Sequence, residues 1–78
     1  MNITQNTEDD KTQCELILEH FKKYGSITPW DAVERYRCLR LGARIYDLRQ
    51  RGYRIATYPE KAKSGKTYAR YFLKGEPQ

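Results

Sequence analysis

Cationic side chains dominate the second half of this 78-residue chain. Arg37, Arg40, Arg44, Arg49, Arg51 and Arg54 fall within 18 residues, with Asp47 the one acid among them. Lys61, Lys63, Lys66 and Arg70 follow, against Glu60 alone. Ten cations against two carboxylates give residues 37–73 a net charge of +8, although the whole chain carries only +5. The first ten residues are acidic, at −3, through Glu8, Asp9 and Asp10. The chemistry open to such a segment is non-covalent: guanidinium and ammonium groups donating hydrogen bonds to phosphate oxygens. The asymmetry points to a polyanionic partner. The competing reading is a solvated basic face that keeps a small domain soluble.

Bond-breaking chemistry finds little material. Cys14, Cys38 and His20 are the three candidate metal ligands, and their spacing matches no zinc pattern. His20 has no Cys or Ser partner that the pattern places nearby, and Asp9-Asp10 lies in a segment too polar to hold catalytic geometry. Neither an enzyme, a metal site nor a cofactor is expected. Two cysteines are too few for a disulfide scaffold, and the acidic start lacks the basic-then-apolar pattern of a secretory leader. Reduced thiols in a cytoplasm are the expectation. No run approaches the ~18 apolar residues of a membrane span, so no membrane partner is expected.

The elements that must carry the cations follow from apolar spacing. Cys14, Ile17, Leu18 and Phe21 stand at i, i+3, i+4 and i+7, one face of a helix over Thr12 to Tyr24 that Gly25 should end. Thr28 fits an N-cap, with Pro29 at the first helical position and Asp31 at the third. A short second helix from Pro29 to Tyr36 should bury Ala32, Val33 and Tyr36, and Trp30 is expected to pack inward. A turn over Arg37 to Leu39 leads to a third helix, Arg40 to Arg51, whose buried stripe is Leu41, Ile45 and Leu48, with Gly52 as its terminator. The period then changes to two. Tyr53 to Tyr58, ended by Pro59, and Thr67 to Leu73 read as strands joined by a long polar tip over residues 59–66. Residues 11–74 form one domain, with residues 1–10 as a flexible acidic tail and 75–78 as a short polar end.

Three helices followed by a β-hairpin make an α+β domain with the order of a winged helix-turn-helix, a three-helix core followed by a β-hairpin wing. The run Ile27 to Ile55, ITPWDAVERYRCLRLGARIYDLRQRGYRI, resembles a small winged helix-turn-helix family found mainly in bacteriophages and prophages. Thr28, Ala32, Arg40-Leu41, Ala43-Arg44-Ile45, Leu48-Arg49, Gly52 and Ile55 carry the resemblance, with Tyr71 and Leu73 in the last strand and Gln13 and Ile17-Leu18 upstream. It spans about residues 12–73. Gly42 departs from the small helix former usual there.

The resemblance implies sequence-specific binding of double-stranded DNA by a transcriptional regulator or an accessory factor in DNA transactions. The third helix would enter the major groove and the wing would lie on phosphates. On a wheel of 100° per residue, Arg40 and Arg44 share a flank of the third helix, and Tyr46 faces out. The expected contact residues are Arg37, Arg40, Ala43, Arg44, Tyr46, Lys61, Lys63 and Lys66. Arg44 has a second reading, a salt bridge to Glu34 or Asp31. Arg49 and Arg51 are expected to be solvated or to cap the helix. Tyr53, Tyr58, Tyr68 and Phe72 suit strand packing more than the stacking of single-stranded bases. The alternative function is a winged-helix interaction module that binds and inhibits a host protein. One short reading helix has limited reach, so either a homodimer or a second DNA-binding partner is expected.

Overall fold

A computed structural model describes residues 7–77. Its elements are α1 (Thr7–Tyr24), β1 (Ser26–Ile27), α2 (Pro29–Tyr36), α3 (Leu41–Gln50), β2 (Arg54–Lys61) and β3 (Thr67–Gly75). This is the expected α+β order of three helices and a hairpin, with a two-residue strand added between α1 and α2. The sheet runs β1-β3-β2 and is antiparallel throughout.

The helical stripes meet at the core. Cys14, Ile17 and Phe21 of α1, Ala32 of α2, and Leu41, Ile45 and Leu48 of α3 are buried together with Ile27, Cys38 and Ile55. Leu18, Tyr36, Tyr53, Tyr71 and Leu73 pack around them. Val33 is exposed, contrary to expectation. Ala32 and Tyr36 stand one turn apart and take the inward face of α2, which turns Val33 about 100° toward solvent. Trp30 is also not a core residue. It is 59% exposed and lies against Tyr68 of β3.

Helix ends follow local chemistry. Thr28 and Asp31 form a reciprocal capping box: the Asp31 N–H donates to Thr28 Oγ1 at 3.2 Å and the Thr28 N–H to Asp31 Oδ2 at 3.0 Å. Gly52 takes φ +103°, and a Schellman pair closes α3, Tyr53 N–H to the Leu48 carbonyl and Gly52 N–H to that of Arg49. α1 begins at Thr7, five residues before the expected start, and takes in Glu8, Asp9 and Asp10. The remainder of that expected tail, residues 1–6, lies outside the described residues. At the C-terminal end two residues lie against the domain. Gly75 pairs with Arg54, and Pro77 lies so close over Gly52 that a Cβ there would sit 3.0 Å from Pro77 Cβ.

The wing differs most from expectation. β2 runs through Pro59 to Lys61, pairing Pro59 with Ala69, Glu60 with Tyr68 and Lys61 with Thr67. The tip is therefore not long. It is the loop Lys63-Ser64-Gly65, closed by the Ala62 N–H donating to Lys66 and the Gly65 N–H to Ala62, with Gly65 at φ +94°. This is a type I turn followed by a glycine bulge. Pro59 does not end the strand because β2 is an edge, where a missing N–H is tolerated.

His20 is buried at the junction of α1 and α2. Its Nδ1 is 2.8 Å from the Tyr36 hydroxyl, its Nε2 3.9 Å from Asp31 Oδ2, and its ring lies on Tyr24. Burial pushes the imidazole below its ordinary pKa. Arg35 and Lys23 push the same way, and Asp31 and a hydrogen bond to the Ser26 backbone oppose them. The unfolded chain thus binds a proton that the fold resists, so stability is complete above pH ~6.5 and falls as the pH drops through that value. Because His20 is the one histidine, Tm should decline between pH 7 and pH 5 in the natural chain and stay level in His20→Gln. Equal slopes for the two proteins in thermal melts across that range would contradict the assignment.

Candidate nucleic-acid interface

α3 is the element that must position any reading side chain. With Leu41, Ile45 and Leu48 buried, the opposite side of the helix carries Ala43, Tyr46, Asp47 and Gln50. Tyr46 is 61% exposed, as expected for a side chain that reaches outward, and Ala43 is half-buried. Gln50 was not among the expected contacts, although it stands about 180° from Leu41 and its amide can pair with an adenine edge. The wheel angle was the signal for it.

Arg40 is the residue before the first turn of α3, exposed, and makes no side-chain cap. A cation here faces the positive end of the helix dipole, which opposes folding slightly. Leu39 beside it is 82% exposed, while Cys38 is buried. An apolar side chain at the entrance of the helix was missed because the turn carries no period. Leu39 is available for contact with sugar or a thymine methyl.

Arg44 meets neither Glu34 nor Asp31. Its Nε donates to Asp47 Oδ2 at 3.0 Å, and its terminal nitrogen lies 3.0 Å from the same oxygen. The Arg44 side chain is 12% exposed, so its first effect is to neutralise the only acid of α3. Without that partner, Asp47 would place a bare negative charge on the outward side. Arg49 is exposed, as expected, yet its side chain is held. Its terminal nitrogen donates to the Ile55 carbonyl at 2.6 Å and to Thr57 Oγ1 at 2.9 Å, anchoring α3 to β2. Arg51 is the exposed C-cap, in line with expectation.

The Arg49 contacts show which face of the sheet α3 occupies: the one carrying Ile55, Thr57, Pro59 and, by alternation, Lys61. Lys61, Lys63 and Lys66 are all exposed, at or beside the wing tip. The base of the wing is tied by Glu60, which accepts from Arg70 Nε at 2.7 Å and from the Tyr68 hydroxyl at 2.8 Å. Arg70 also donates to Ser26 Oγ at 2.9 Å. Hydrogen bonds from Arg70 and Tyr68 hold the Glu60 carboxyl below its ordinary range, so this tie stays charged at neutral pH.

Arg37 stands out in backbone terms. α1 and α3 end in glycines of positive φ, but α2 ends at Arg37, with φ +55° and ψ +31°, the one non-glycine of positive φ among the described residues. Left-handed backbone costs an L-residue ~1 kcal/mol or more. A cost kept at an exposed cation is the kind of strain found at functional positions. Arg37→Gly is expected to raise stability by ~1 kcal/mol and to weaken DNA binding several-fold. Denaturant melts and a binding isotherm on the same preparation check both signs.

Among the described residues, no three His, Cys, Asp or Glu side chains gather to hold a metal, and Cys14 and Cys38 are both buried. No described helix is long and apolar enough to cross a membrane. Neither curated proteins nor solved structures gave a match to the chain. A family model described as a winged helix-turn-helix domain matches residues 12–76, which takes in α1 from Thr12 onward, α2, α3 and both wing strands. Membership of that family points to DNA binding, and on this match the chain belongs to the winged helix-turn-helix domain family.

Proposed function

We propose that this chain is a sequence-specific double-stranded DNA-binding protein of the phage or prophage type, acting as a transcriptional regulator or a DNA-transaction accessory factor. α3 enters the major groove and presents Ala43, Tyr46 and Gln50 to base edges. Arg37 and Arg40 grip phosphates at its entrance, and Lys61, Lys63 and Lys66 grip the flanking backbone. The observation that carries this reading is the strained, exposed Arg37 beside Arg40, two cations held against local backbone and dipole preferences at the mouth of α3. Arg44 supports the surface indirectly, by cancelling Asp47.

Selection of bound duplexes from a random library tests it, followed by affinity measurements at several salt concentrations. A preferred motif should emerge, and log K should fall with log salt at a slope of about −0.9 per phosphate contacted. Two motif copies about one helical turn apart would report a dimer on DNA. Absence of any salt-dependent duplex binding sinks the proposal and would leave the helix entrance as a surface for a protein partner.

A further inference from the structure

The sheet has a second face, turned away from α3. Even-numbered residues of β3 occupy it in the order Tyr68, Arg70, Phe72, Lys74, an aromatic ring alternating with a cation. Ala56, Tyr58 and Glu60 of β2 lie alongside, by register. Two ring pairs stand there. Tyr58 and Phe72 meet edge-on with centroids 5.3 Å apart, and Trp30 and Tyr68 meet at 6.3 Å. Lys74 Nζ sits 5.7 Å from the Tyr58 ring centre and 5.6 Å from that of Phe72. Trp30 is 59% exposed and Tyr58 48%, although a 78-residue chain has few large side chains to spare from its core. Glu60, the acid on this face, is occupied by Arg70 and Tyr68.

We propose that this outer face binds single-stranded nucleic acid, with bases stacked on the Trp30–Tyr68 and Tyr58–Phe72 pairs and phosphates near Lys74. Aromatic faces accept any base, and with Glu60 neutralised by Arg70 the charge left on this face is that of Lys74, which suits a phosphate backbone. Tyr68 and Phe72 are four residues apart along β3, roughly 13 Å, which leaves room for stacked bases at both ring pairs with Arg70 between them. The charge pattern favours a polyanion over an apolar peptide. The site does not depend on the duplex reading, because α3 lies on the other side of the sheet.

Trp30 is the chain's only tryptophan, so its fluorescence reports this face directly. Titration of the full chain with a twelve-residue oligothymidylate is expected to quench it saturably. Tyr58→Ala should weaken that binding about tenfold, and Lys74→Glu, which removes no ring, should weaken it several-fold. Arg40→Asp should leave it unchanged, whereas duplex binding should show the reverse pattern. Absence of saturable quenching overturns the proposal. So does quenching that Arg40→Asp abolishes and Tyr58→Ala spares, which would put the strand on α3. Sedimentation showing a dimer that Tyr58→Ala dissolves would overturn it too, since a second copy would then cover the face.

Discussion

Leu48→Ala is expected to cost ~3 kcal/mol and to lower Tm by roughly 12–24 °C. Leu48 is fully buried, on the stripe of α3 that meets α1 and the sheet. Truncation removes its transfer energy and leaves a cavity that neighbours fill only in part. Those neighbours include Ile17, Ile45 and Ile55, whose branched side chains have little rotamer freedom with which to collapse inward. A domain of this size holds only about 3–5 kcal/mol in total, so the variant should approach loss of its cooperative transition at room temperature. Circular dichroism melts of the two proteins decide it. A shift below about 5 °C would mean that the core lies elsewhere.

Arg40→Asp should separate binding from stability, with opposite signs. On the binding side, one cation next to the reading helix becomes an anion facing phosphate. The expected loss is 10- to 100-fold at moderate salt, about 1.4 kcal/mol per factor of ten. If Arg40 holds a phosphate, the loss should be uniform across sequences and the salt slope should drop by about one; if it reads a base, the loss should fall mainly on the preferred motif. On the stability side, aspartate suits the N-terminal position that arginine occupies without capping, so ~0.5–1 kcal/mol should be gained. Weaker binding in a more stable protein cannot be ascribed to unfolding. An affinity change under threefold would remove Arg40 from the interface, and a fall in Tm would overturn the expected gain at the helix N-terminus.

Much of the scaffold can be read from residue spacing because its cues are local. Cys14, Ile17 and Phe21 mark α1, and Leu41, Ile45 and Leu48 mark α3, since one helical period accounts for each set. Gly25 and Gly52 mark two helix ends because positive φ favours glycine. The features that escape are those that depend on partners distant in sequence. Ser26–Ile27 is a strand only because β3 passes beside it, and two residues have no period. Pro59 looks like a terminator until the sheet order places β2 at an edge. Trp30 looks like core until Tyr68 takes its ring at the surface. The interface is legible to a lesser depth. Charge identifies Arg40 and the wing lysines as exposed cations, but cannot separate them from Arg49, which spends its donors on Ile55 and Thr57, or from Arg44, which faces Asp47.

The proline in β2 has a consequence for how copies of this chain meet one another. An antiparallel sheet with a free eight-residue border offers a template onto which another strand can add. Pro59 removes one donor from that border, Arg54 and Lys61 place charge at its two ends, and the register shift between Arg54 and Ile55 bends it. On the other side of β3, the two-residue β1 pairs with Tyr71 and Phe72. A polar wing can therefore project from the body without recruiting its neighbours into a growing ribbon.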